Sequence, residues 1–150
     1  MKNKKIIVCF MLILAIALLS SCNSVSGKTK MVIEMELSNN QNSTEPFISE
    51  KLIYVSDNID TLNLDVSFQM KGESGTLEIS DNETQQVFWS DAWNGDIEKT
   101  TFIVSLDKLD KEKEYVIRFN GTKISYAKIV ITSENSLIKE REKPIKPNRD

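Results

Sequence analysis

The sequence predicts an all-β protein, an antiparallel two-sheet β-sandwich of seven or eight strands. Three observations predict it. Beyond residue 22 the apolar residues recur at every second position, as in strands with one buried face. Clusters of Asn, Asp, Gly and Ser separate these runs and supply the left-handed and Asx conformations of tight turns. No long stretch of the same region carries the 3.6-residue apolar period of a helix.

Residues 1–21 precede this body and read as an export signal. Lys2, Lys4 and Lys5 lead into fourteen apolar residues, 6–19, and then Ser20 and Ser21. Such a run fits the ~7–15 apolar residues of a signal peptide and falls short of the ~20 of a membrane-spanning helix. Its end, Leu19-Ser20-Ser21-Cys22, resembles the lipobox of bacterial lipoproteins. That resemblance implies a diacylglyceryl thioether on Cys22, cleavage just before it, and anchorage at the extracytoplasmic face of the cell membrane. Two acyl chains, at about 0.8 kcal/mol per buried methylene, hold durably where one holds only marginally. Cys9 is filler within the discarded segment, so the mature chain has no cysteine for a disulfide.

Residues 22–150 make one ordinary domain with short flanks. Loss of the three leading lysines leaves 16 basic against 22 acidic side chains, a formal charge of −6. Nothing there resembles the basic, aromatic-interleaved face that nucleic acid requires. Residues 22–29, the lipidated cysteine with the small polar stretch NSVSGKT, suit a flexible spacer reaching at most ~25 Å.

The sandwich is expected over residues 30–133. Its first strand alternates Met31, Ile33, Met35 and Leu37 with Val32, Glu34 and Glu36. The next covers 47–55. The clearest run, TLNLDVSFQM at 61–70, puts Leu62, Leu64, Val66, Phe68 and Met70 on one face. Shorter runs follow at 77–79, 86–89, 102–106, 115–119 and 124–131. The turns between them read NNQNS, SDNID, KGESG, DNET, WNGD and FNGT. The triplets at Asn42, Asn82 and Asn120 all fall in these turns and mark surface loops.

One segment narrows the class. VSLDKLDKEKEYVIRF places Leu109 six residues before Tyr115, which opens an alternating strand. It resembles the stretch before strand F of fibronectin type III and immunoglobulin-like domains. The resemblance implies that Leu109 plugs the sandwich end and that the Tyr115 hydroxyl bonds to the upstream backbone. An immunoglobulin-like strand order is therefore expected, with a jelly roll as the alternative. GTLEISD, VFW and YVIRFNG in turn resemble segments of small Gram-positive surface lipoproteins. That likeness implies a fold and an address but no reaction.

The absence of histidine removes Ser-His-Asp and Cys-His nucleophilic systems and the usual zinc sites. Gly72 and Gly75 sit in a hairpin and open no helix, so there is no phosphate loop. No acid pair stands out for hydrolysis, and no enzyme, metal or cofactor is expected. QVFWSDAWNGD carries the candidate ligand-binding residues: Trp89, Asp91, Trp93, Asn94 and Asp96. Indole rings stack on the apolar face of a sugar, while acids and amides hold its hydroxyls. The competing reading makes Val87 and Trp89 strand core and packs Trp93 over the sandwich end. DAWNGD lacks calcium-loop spacing, because Trp93 stands where an oxygen ligand is required.

The tail at 134–150 is charged, has Pro144 and Pro147, and is expected to be disordered. Its basic residues are candidates for contact with anionic headgroups or wall polymers, at about 1 kcal/mol each near such a surface. The functional expectation is a lipid-anchored, non-catalytic module that binds an envelope protein or cell-wall polymer. The alternatives are a sugar-recognising lipoprotein using Trp89 and Trp93 and, behind it, a small hydrolase.

Overall fold

A computed structural model describes residues 30–37 and 46–142; Cys22, the spacer, the NNQNS turn and residues 143–150 lie outside the described residues. Within them the chain forms nine strands: β1 (Met31–Leu37), β2 (Phe47–Val55), β3 (Ile59–Lys71), β4 (Ser74–Asp81), β5 (Val87–Asn94), β6 (Ile97–Leu109), β7 (Glu114–Thr122), β8 (Tyr126–Ser133) and β9 (Ile138–Arg141). They build two antiparallel sheets, ordered β1-β8-β3-β6 and β5-β4-β7-β2-β9.

The pairs β1–β8, β2–β7, β3–β6 and β4–β5 are those of one long hairpin of eight strands rolled upon itself. Rolling brings β3 beside β8 and β4 beside β7. This is the jelly-roll order. An immunoglobulin-like order instead groups strands as ABED and CFG. Of the two arrangements the sequence left open, the chain adopts the jelly roll, with β9 added beside β2.

The alternating rows meet between the sheets. Ile33, Leu64, Phe68, Leu106 and Ile131 face inward from the four-stranded sheet, and Ile53, Leu77, Ile79, Ile117 and Phe119 from the five-stranded one. Each fully buried aliphatic or aromatic side chain contributes about 1.5–3 kcal/mol relative to exposure. Gly75 and Gly121 are direct partners across β4 and β7. A Cβ at Gly75 would lie 2.5 Å from Met70 Sδ and 2.9 Å from the Phe119 ring, so only hydrogen fits.

Two strands run furthest past their expected ends. β5 continues to Asn94 and β6 starts at Ile97, because both are edge strands. An edge strand has a neighbour on one side only, so polar residues such as those at 98–101 interrupt its pattern without cost. The tail expectation is corrected over its first part. Ile138 is buried and β9 pairs with β2, so the fold reaches Arg141 instead of ending at 133. Four residues are too few to show a period.

Leu109 is buried at the close of β6, and the Asp110 N–H donates to the Tyr115 hydroxyl at 3.0 Å. This bond ties the link from β6 to β7 as it passes from one sheet to the other. Burial pushes the Tyr115 pKa above its usual value, partly opposed by that N–H. In the next turn along, Asp81 accepts the N–H groups of Thr84 at 2.6 Å and Glu83 at 2.8 Å. The Thr84 bond is the main reason that its carboxyl lies below the usual 3.8.

Tyr115→Phe should cost about 1 kcal/mol by removing one bond. The raised pKa means that the neutral phenol's contribution is complete below pH ~10 and lost as pH rises through the folded value. Urea midpoints measured from pH 8 to 11 should therefore fall less steeply in Tyr115→Phe. Asp81 has the opposite sign: its contribution is present above pH ~4 and lost as pH falls through the lowered value. Asp81→Asn should flatten the acid limb of the same curve.

Candidate functional site

The candidate sugar-binding residues lie along one margin of the sandwich, where edge strands β5 and β6 face each other. Trp89, Asp91 and Trp93 are opposite Ile79, Leu77 and Gly75 of β4, so all three belong to the inward-facing row. The two indoles are half-buried and Asp91 is exposed between them. Trp93 stacks on Phe68, with centroids 4.3 Å apart and planes at 30°. Both indoles also approach Phe102 of β6 at 6.0 Å.

These rings continue inward. Phe68 touches Phe119 at 6.1 Å, and Phe119 touches Phe47 at 6.4 Å. The six aromatics thus link the β5/β6 margin to β2 on the far side of the core. Offset or tilted pairs of this kind add about 0.5–1.5 kcal/mol each beyond their area. Trp93 is therefore a wall of the sandwich, with one ring face already taken by Phe68. Val87, expected in the strand core, is instead 48% exposed, because a bulge at Ile79/Ser80 shifts the register. Phe88 turns inward and meets Tyr115 edge-on at 5.4 Å.

The three acidic and amide candidates separate. Asp91 Oδ1 accepts the N–H of Ala92 at 2.8 Å. Asp96 Oδ1 accepts the Gly72 N–H at 3.0 Å, and the Gly95 N–H donates to the Glu73 carbonyl at 2.8 Å. The β3–β4 and β5–β6 hairpins thereby brace each other, helped by Gly95 at φ +75°. Asn94 is exposed opposite Ser74. The structure brings Trp89, Asp91 and Trp93 together and gives Asp96 to the brace.

A second surface escaped sequence reasoning. On the outer face of the four-stranded sheet, the register aligns Val32, Thr132, Asp65 and Ile103 in one row. Glu34, Val130, Ser67 and Thr101 form the next. The short side chains of Asp65, Ser67 and Thr132 leave a shallow open trough of about 430 Å³, lined also by Ile103 and Val130. Val32 is 51% and Ile103 67% exposed. Their signal in the sequence is phase: both are aliphatic at positions where the alternation calls for polar residues. Beside the trough, Lys128 bonds to Glu34 at 2.7 Å and Glu36 at 2.8 Å, which pushes the lysine pKa up and the Glu34 pKa down.

A third depression, about 260 Å³, lies at the end that carries the β6–β7 link and is lined by Asn82, Glu83, Glu112, Lys113, Glu114 and Arg141. Its charges pair among themselves, Lys113 with Glu83 and Arg141 with Glu114. Among the described residues no group of three acids, cysteines or histidines could hold a metal ion.

Trp93→Ala should lower stability by about 2–4 kcal/mol, near the lower range for large aromatic truncations because the ring is half-buried. Asp91→Ala should stay within about 0.5 kcal/mol, as a surface change does. Thermal denaturation of both variants checks this division of roles. The family model described as Domain of unknown function (DUF4624) matches residues 19–145 of the chain. No curated protein matches it.

Proposed function

The chain belongs to the DUF4624 family over most of its length, and from that premise we propose that it is a lipid-anchored, non-catalytic binding module of the bacterial envelope. The observation that carries this reading is Leu19-Ser20-Ser21-Cys22 standing behind a basic and apolar leader and ahead of a strand-built domain. The family match begins at Leu19, so these four residues fall within it while the apolar run before them mostly does not. The thiol of Cys22 is the nucleophile: its sulfur bonds to the glyceryl carbon of a phospholipid's diacylglyceryl group. The phosphorylated headgroup leaves with the electrons of the broken C–O bond, and the thiol proton passes to solvent. The eight residues from 23 to 30 then separate it from β1 by at most ~30 Å.

Geometry adds an orientation. Met31 lies at the end of the sandwich that holds Ser133, its direct partner. Tethered there, the protein turns the braced β3–β4 and β5–β6 hairpins away from the bilayer. The outer face of the four-stranded sheet, with Val32, Ile103 and the hydroxyls of Ser67 and Thr101, stands upright and open to a neighbour. Partner and polymer contacts use such faces and end loops.

The second reading is sugar recognition at the β5/β6 margin. It is favoured by the row Trp89-Asp91-Trp93, which places a carboxylate between two half-exposed indoles. Saturating glycans or peptidoglycan fragments would then quench tryptophan emission. Unchanged emission removes this reading and leaves the first.

Anchoring is tested by fractionating cells that express the full chain or Cys22→Ala. The unaltered protein should stay with membranes through high-salt washing and partition into detergent, and Cys22→Ala should be released. Retention of Cys22→Ala in the membrane would count against the thioether.

A further inference from the structure

We propose that the protein forms a two-fold symmetric dimer in which the free edge of β6 pairs antiparallel with β6 of a second copy. β6 has 13 residues and ends the four-stranded sheet, so among the described residues it has a partner strand, β3, on one side only. The strands next to the undescribed segments, β1, β2 and β9, lie at the opposite margin. An open edge of this length is a template for another strand unless something blocks it.

The residue order along β6 says which strand fits. Lys99, Thr101, Ile103, Ser105 and Asp107 are exposed, and Ile103, at 67%, stands midway among them. Turning a second copy about an axis through Ile103, perpendicular to the sheet, sets Ile103 against its own counterpart. Thr101 then meets Ser105, and Lys99 meets Asp107. Each unlike pair occurs twice, as in any isologous contact. A perpendicular axis also keeps inner row beside inner row, so Phe102 meets Val104 and Thr100 meets Leu106. β6 pairs with β3 in unbroken register from Thr100 to Asp107, which leaves the centre of this edge regular.

Charge separates this partner from simple edge protection. An edge built to repel its own copy would carry like charges at the symmetric positions. Here they are opposite. Among the described residues Lys99 has no acidic partner, and Asp107 accepts only the Thr61 hydroxyl, at 2.8 Å. One position further out, Glu98 and Lys108 repeat the match, although Lys108 at φ +58° marks where the regular ladder stops. Moving the axis to Phe102 or Val104 sets Ile103 against Thr101 or Ser105 and leaves Lys99 and Asp107 without an opposite charge. Only the axis at Ile103 pairs every outer position with its complement.

The pairing joins two four-stranded sheets into one of eight strands and leaves their outer face open. The troughs of the two copies then meet across the Ile103 pair. Phe102, which both indoles approach at 6.0 Å, gains Val104 of the second copy as a cover. Val32 shares a row with Ile103, so the axis brings both Met31 entries to nearly the same level. With strands about 4.8 Å apart, these entries are roughly 34 Å from each other. On the tethered reading, spacers of up to ~30 Å lead both copies to one bilayer.

Sedimentation equilibrium of the full chain, purified from membranes in detergent, tests the proposal. The unaltered protein should be dimeric and dissociate on dilution. Lys99→Asp and Asp107→Lys each turn two attractive pairs into repulsive ones and should weaken association at least about ten-fold. Combining the two substitutions restores opposite charges and should restore the dimer. Ile103→Lys puts two ammonium groups at the axis and should abolish it. All three positions are exposed, so the variants should keep the thermal midpoint of the unaltered monomer. A monomer at every concentration would overturn the proposal. So would association that ignores the single charge changes, or that the combined change fails to recover.

Discussion

Burial of two period-two rows between facing sheets is the constraint on which the rest of this structure depends. The described residues contain no cysteine to form a disulfide, and no metal cluster appears among them. Apolar area between the sheets therefore carries the stability. Every strand must keep its inner row in phase, since a slip of one residue would turn that row to solvent. The rolled hairpin satisfies this with four antiparallel pairs and two cross-pairs. Where the rows reach an open margin, aromatic rings close it: Trp89, Phe102 and Trp93 cap the β5/β6 side and continue inward to Phe68.

The strands themselves were largely legible because burial on one face writes itself into alternate residues. β3 is the clearest case, with every second residue from Leu62 to Met70 buried. Strand order was not legible, and the reason is specific. Leu109 and Tyr115 mark a crossing from one sheet to the other, and the Asp110–Tyr115 bond secures that crossing. The same local device serves a β6–β7 link in a jelly roll as it does the step before strand F of an immunoglobulin-like domain. Local sequence thus fixes the corner but not the neighbours of the strand that leaves it.

The candidate site divides in a similar way. Tryptophan, aspartate and asparagine in QVFWSDAWNGD suggested one cluster, because a sequence does not separate an inward row from a turn. The structure keeps Trp89, Asp91 and Trp93 on one row and assigns Asp96 to a brace between hairpins. The trough on the four-stranded sheet depends on residues from four strands, so no contiguous motif announced it. β9 escaped for want of length, although Ile138 is buried and Lys139 and Arg141 lie over the Tyr54 ring at 5.2 and 4.9 Å.

The functional account turns on the chemistry of a single sulfur atom, which decides whether the sandwich works at a membrane surface. Mass spectrometry of the N-terminal peptide from native protein addresses it most directly. The account predicts a peptide beginning at Cys22 that carries a thioether-linked diacylglyceryl group. A peptide beginning at Met1, or a free thiol at position 22, would contradict it.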